Sequence, residues 1–235
     1  MSTVTRPEDY RTPRSFRMAL TTASQEHAQQ HGLSMEHVRD WFFFQRLAAR
    51  VFQDDPHGWL ILGGQALLIR YQGASRMSRD IDLQYAPATD LDEARAALTR
   101  ASAQDTNDFL TFQVLDGASR VDLEHLTQSV KVRVSIAGTA VTTIKVDLAA
   151  GTRYTDPPAE SELRPELPIL QQGVPWPRVR LAPALGHVCD KICAMYTRYG
   201  ENKGPSRPCS ADHSGLATAR LPLAAPTTLG QPNPG

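Results

Sequence analysis

The chain has 235 residues, 41% of them hydrophobic and 21% charged, with 25 Lys plus Arg against 25 Asp plus Glu. That length holds one sizeable core or two small ones, and no apolar run approaches the roughly 20 residues needed to span a bilayer. Balanced charge excludes a protein that coats nucleic acid by electrostatics alone, though not one that grips RNA locally.

No basic start followed by an apolar segment and a cleavage-type site opens the chain. Cys189, Cys193 and Cys209 make an odd set, with no second pair at metal-ligand spacing. A reducing cytoplasm is therefore expected. Residues 1–22 show no clear apolar period and contain Pro7 and Pro13, so a partly ordered lead-in is expected up to residue 33. Arg6, Arg11, Arg14 and Arg17 make it mildly basic, as a solvated tail or a contact for RNA would be. From Ser34 the pattern turns helical. Ser34 can cap, Glu36 lies in the first turn, and Val38, Trp41, Phe42, Phe44, Leu47, Ala48 and Val51 recur at helical spacing. This aromatic face is expected to lie across a sheet, with a turn at Asp54, Asp55, Pro56, His57 and Gly58.

The stretch 59–83 carries the chemistry. Trp59, Leu60, Ile61 and Leu62 read as a buried strand that stops at Gly63 and Gly64. A short, mostly apolar helix over 65–71 packs beneath the sheet, and a polar connector with Gly73, Ser75, Arg76, Ser78 and Arg79 leads to Asp80, Ile81, Asp82 and Leu83. Strand side chains alternate, so Asp80 and Asp82 share one face while Ile81 and Leu83 enter the core. Like charges held that close cost energy unless a cation or a shared proton lies between them, and hard divalent metals take carboxylate oxygens. The pair is thus a metal site or a solvated strand face. The glycine turn at a helix start, with Arg76, Ser78 and Arg79 nearby, would suit an anion.

Residues 90–101 read as a helix with acids at its front and Arg100 at its end, which suits the helix dipole. Strands are expected at 109–115 and 119–124, then a hairpin of 130–136 and 140–149 turning at Ala137, Gly138 and Thr139. In its second strand Ile144, Val146 and Leu148 share the apolar face, so Thr143, Lys145 and Asp147 share the other. Asp147 is then a solvated strand acid or a third partner for Asp80 and Asp82. Six prolines within 151–180 suggest a long connector. Pro183 can open a helix running to about Tyr199, with Leu185, Val188, Ile192, Met195 and Tyr199 as its apolar stripe and His187, Lys191 and Arg198 along another side. Cys189 and Cys193, one turn apart on it, read as packing. Residues 204–235 are rich in Pro, Ala, Thr and Gly, and this tail is expected to be disordered.

A strand ending in Gly63 and Gly64, a helix, and then Asp80-x-Asp82 on a second strand resembles the first motif of the polymerase-beta-like nucleotidyltransferase superfamily. More narrowly, Arg76-x-Ser78-x-Asp80-Ile81-Asp82-Leu83 resembles the AbiEii/MenT type of nucleotidyltransferase toxin of toxin–antitoxin systems. The resemblance covers about residues 34–203. It implies a mixed α/β (α+β) domain, a small twisted sheet with helices on one face and acids on the other. It also implies that Asp80, Asp82 and Asp147 bind Mg2+ and, with Lys191, form the catalytic set. Asp147 would sit near the acceptor hydroxyl as second-metal ligand or base. Gly63, Gly64 and Ser78 would hold phosphate oxygens of a nucleoside triphosphate, with positive charge from Lys191 and Arg76. The acceptor would be a tRNA 3′ end or a protein hydroxyl, and the partner a cognate antitoxin.

Three features depart from that pattern. Gln65 stands where a small hydroxyl residue often follows the glycines, and the interval from Gly64 to Asp80 is slightly long. Relatives continue past the Lys191 helix to a further aspartate on another helix, whereas Asp212 lies in the Pro-rich tail without helical surroundings, so its role is not carried over. The expectation is a C-terminus that lacks the family's last subdomain. That leaves an inactive remnant that binds nucleotide or antitoxin as one alternative; a metal-dependent phosphodiesterase is the other, since paired acids with a metal also suit phosphodiester hydrolysis.

Overall fold

The computed structural model describes residues 6–71, 80–117, 120–123, 126–186 and 188–189. In chain order its elements are α1 (Pro13–His31), α2 (Met35–Asp54), β1 (Trp59–Ile61), α3 (Gly63–Arg70), β2 (Ile81–Tyr85), α4 (Leu91–Ser102), β3 (Leu110–Val114), β4 (Arg120–Asp122), β5 (Thr127–Ile136), β6 (Thr139–Ala150), β7 (Ala159–Glu162) and β8 (Arg178–Leu181). The eight strands form one mixed sheet in the order β3-β5-β6-β2-β1-β8-β7, with β4 paired to β5. This is the mixed α/β architecture the sequence implies.

One face of the sheet is greasy because the strands alternate. Ile81, Leu83, Val130, Val132, Val134, Ile144, Val146 and Leu148 are buried in a single cluster with side chains from all four helices. In β6 a slip of one residue would bury Lys145 and Asp147 and expose Val146 and Leu148. Each apolar side chain so exposed would lose about 1.5–3 kcal/mol, so the register is firmly set. The β5–β6 hairpin turns through Ala137 (φ 51°) and Gly138 (φ 76°), the two left-handed residues that a tight hairpin turn requires.

Three readings of the sequence differ from the structure. The expected lead-in contains α1, a helix of 19 residues. Thr12 and Ser15 cap it reciprocally, Pro13 takes the first turn, and Gly32 ends it with φ 65°. Its buried face of Phe16, Leu20, Ala23, Ser24 and Ala28 keeps helical spacing but is mostly small residues, so its apolar period is weak. Phe16 fixes it, packing edge-on to Tyr10 and stacking on Phe109, both with ring centroids at 5.2 Å. Second, the expected connector over 151–180 contains β7 and most of β8, and Leu181 of β8 lies parallel to Ile61 of β1. Third, α2 is buried almost all round rather than along one stripe.

That burial includes two charges. Arg46, Arg50 and Asp108 have fully buried side chains. Arg46 Nε donates to Asp108 Oδ2 at 2.7 Å, and Arg50 donates to Oδ2 at 2.8 Å and to Oδ1 at 2.7 Å. Remaining guanidinium N–H groups reach the carbonyls of Pro175, Gln104, Arg46 and Leu110. Burial alone would raise the Asp108 pKa, but the Arg50 hydrogen bonds and the charges of Arg50 and Arg46 outweigh it and hold the carboxyl below the ordinary range. The triad ties α2 to the loop before β3 and to the segment before β8. Among the described residues no helix is long and apolar enough to cross a membrane.

Candidate active site

The opposite face of the sheet holds the acids. β2 and β6 are parallel neighbours, and Asp82 stands in register with Asp147. Because neighbouring strands lie about 4.8 Å apart, residues in register on one face are held side by side. Asp80 lies just ahead of β2. Lys145, two residues before Asp147 and so on the same face, places its Nζ 3.0 Å from Asp147 Oδ2 and 3.6 Å from Asp80 Oδ1. Ser129 of β5 is paired with Asp147, and its hydroxyl donates to Asp147 Oδ1. The Asp147 hydrogen bond raises the Lys145 pKa, partial burial opposes this, and the charges of Asp147 and Asp80 add to the rise.

The glycine corner abuts these acids. The Leu62 N–H donates to the Asp82 carbonyl at 2.9 Å, so β1 runs beside β2 to the point where α3 begins. Gly63 has φ 59°, and a Cβ there would land on the Asp82 carboxylate. Glycine is required twice over, by the left-handed backbone and by the close approach. Gly64 lies in the first turn of α3, whose N-terminus has no side-chain cap. The partial positive charge of that end faces Asp82 rather than a capping side chain.

An open cleft of about 300 Å³ lies over this face, lined by Leu62, Asp82, Ser129, Lys145 and Asp147 and extended by Asp122, Thr127, Gln128, Ala149 and Arg153. Of the residues singled out from sequence, Asp82 and Asp147 line this cleft; Asp80 adjoins it through Lys145, and Gly63 abuts the Asp82 carboxylate with Gly64 in the adjoining turn. Arg76, Ser78, Lys191, Cys193, Cys209 and the tail over 204–235 lie outside the described residues. Of the expected helix after Pro183, residues 184–186 and 188–189 are helical, and its remainder also lies outside them.

Sequence reasoning put Lys145 on the right face but gave it no role. It missed Ser129, Asp122 and Arg153. A Lys-x-Asp pair on a strand that already carries a candidate acid was the available signal for Lys145. The others depend on the β4–β5–β6 register, which sequence does not reveal.

The donor set suits a hard cation: paired carboxylates, open to solvent, with an ammonium group already drawn among them. Among the described residues no three His, Cys, Asp or Glu side chains form a ready-made cage. A magnesium ion held by one or two carboxylates and completed by water and phosphate is the usual solution for such an open site. The cleft thus carries Asp82 and Asp147 on its wall, with the start of α3 adjoining through Leu62 and Gly63.

Residues 45–207 match the family described as nucleotidyl transferase AbiEii toxin, Type IV TA system. The match spans well over half the chain and contains all eight strands and the whole cleft. The chain therefore belongs to the AbiEii family of nucleotidyltransferase toxins. No curated protein sequence matches it.

Proposed function

We propose that this protein transfers a nucleotidyl group from a nucleoside triphosphate to a hydroxyl of an RNA, of the tRNA 3′-end kind, or of a protein. The observation that carries the reading is the register of Asp82 against Asp147 beside the Gly63 corner. Asp80, Asp82 and Asp147 are the carboxylates that would hold magnesium, which when bound neutralises triphosphate charge and polarises the α-phosphorus. The acceptor oxygen forms its bond to that phosphorus as the bond to the β-phosphate oxygen breaks, and pyrophosphate leaves. Asp147, hydrogen-bonded by Ser129 and Lys145, is oriented at the cleft wall where it can accept the hydroxyl proton. The first-turn amides at Gly63 and Gly64 bind phosphate oxygens, with Ser78, Arg76 and Lys191 completing the grip. A cognate antitoxin in the cytoplasm is the partner the family suggests.

The test incubates the full chain with magnesium, each labelled nucleoside triphosphate in turn, total tRNA and cell protein. Label joined to RNA or protein supports the reading. RNA shortened without gaining label shows the phosphodiesterase, and nucleotide bound without turnover shows the inactive remnant. Asp80→Ala and Lys191→Ala should each abolish transfer; an unchanged rate in both sinks the site assignment.

A further inference from the structure

Lys145 lies between two acids of the candidate site. Its ammonium bridges Asp147 at 3.0 Å and Asp80 at 3.6 Å, in a cluster whose third acid, Asp82, stands in register with Asp147. Lys131 of β5 is paired directly with Lys145, an arrangement of like charges that favours an outward partner for each. The side chain remains 44% exposed on the wall of the cleft that also holds Asp82. A lysine so placed has a flexible stem and three donors, and can change partners without unfolding anything.

We propose that Lys145 is an exchangeable counterion: it neutralises Asp80 and Asp147 until a divalent ion is taken up, and then passes to the triphosphate. The inference deepens the nucleotidyl-transfer reading and rests on it. A metal ion arriving alone has to compete with an ammonium already bonded to its ligands, and gains little. A metal ion arriving with triphosphate gives Lys145 new anionic partners as it gives up the old ones. Metal and triphosphate are then bound together rather than in sequence, and by linkage each strengthens the other. Free intracellular magnesium would leave the site largely under the control of Lys145 until substrate appears.

The experiment uses the full chain with Mn2+ as a paramagnetic probe, measuring bound and free ion by electron paramagnetic resonance. Separate calorimetric titrations add inorganic tripolyphosphate in excess magnesium. Lys145→Gln should tighten Mn2+ binding about tenfold and weaken binding of magnesium tripolyphosphate about tenfold, the scale of one partly screened charge at close range. Lys145→Arg, which keeps the charge, should hold both affinities within about threefold of the parent. A purely structural lysine would move both in the same direction. Lys145→Gln that leaves Mn2+ binding unchanged or weaker, or that leaves tripolyphosphate binding unchanged, overturns the proposal.

Asp82→Asn separates this failure from failure of the metal reading itself. If Asp82→Asn weakens Mn2+ binding while Lys145→Gln does not tighten it, only the exchange is wrong. If neither substitution affects Mn2+ binding, the metal site and the exchange fall together.

Discussion

Two clusters of charge sit on opposite sides of the same sheet, and they differ in how far each is finished. Around Asp108, two guanidinium groups surround one carboxylate in complete burial, and the spare N–H groups are directed to backbone carbonyls. Around Lys145, two carboxylates flank one ammonium, and the side chains of Asp80, Asp147 and Lys145 stay 53%, 33% and 44% exposed. The first cluster is closed to any further ligand. The second stays open to solvent, as the proposed exchange of cation and phosphate requires. Ion pairs alone do not mark function; the difference in solvent access is what separates the two clusters.

The contrast can be broken most forcefully at Asp108. Asp108→Ala leaves two buried guanidinium groups without their carboxylate, and should cost about 5 kcal/mol, the upper end for breaking a buried pair. Urea denaturation of the purified chain checks this; a loss below about 1 kcal/mol would mean the triad relaxes to water and is not closed. At the other cluster the effect falls on rate instead. Asp82→Asn should lower nucleotidyl transfer about a thousandfold, roughly 4 kcal/mol of transition-state stabilisation, while the urea midpoint moves little. A variant that loses stability and keeps its rate would reverse the roles assigned to the two sides.

Much of the open cluster was legible in the sequence, because it is built from strands. Period-two alternation put Asp80, Asp82 and Asp147 on one face and Ile81, Val146 and Leu148 on the other, and the glycine pair marked the corner. The closed cluster was not legible. Arg46 and Arg50 are four residues apart on a helix, a spacing equally at home on a solvated face, and Asp108 comes from a loop whose path depends on packing. The same limit hid α1, whose buried face is rich in Ala and Ser, and hid β8, whose strand character comes from pairing with β1 in a proline-rich stretch. Where a role depended on which strands lie side by side, as for Ser129 and Asp122, composition and period had nothing to reveal it.

Gly63 joins the corner to the acid, so a methyl group there probes whether the site's geometry matters more than its charge. Gly63→Ala adds a strained left-handed backbone and pushes the Asp82 carboxylate aside, and should cost about 2 kcal/mol of stability. The carboxylate is displaced rather than removed, so transfer should fall less than in Asp82→Asn, by about tenfold to a hundredfold. Thermal melts and initial rates on the same preparation check both effects. An unchanged rate would show that the Asp82 carboxylate tolerates displacement, and that the close approach at Gly63 belongs to folding alone.

The smallest expected effect is on acid stability. The Asp108 carboxyl titrates below its unfolded-state value, so it contributes stability at pH values above the ordinary aspartate range and loses it as pH falls through the folded-state value. The window therefore opens below about pH 4, and this one group contributes at most about 1.4 kcal/mol per pH unit. Urea midpoints should be insensitive to this group from pH 7 to pH 5 and should decline below pH 4. Asp55, whose pKa is also lowered, adds to the decline: its partial burial works against the shift, but the amides of Gly58 and His57 and the Tyr85 hydroxyl outweigh it. Asp55→Asn should therefore shrink the acid slope without removing it, since the buried carboxylate at Asp108 still has to take up its proton before the triad can open. A midpoint that stays level down to pH 2.5 would mean the triad does not depend on an ionised Asp108.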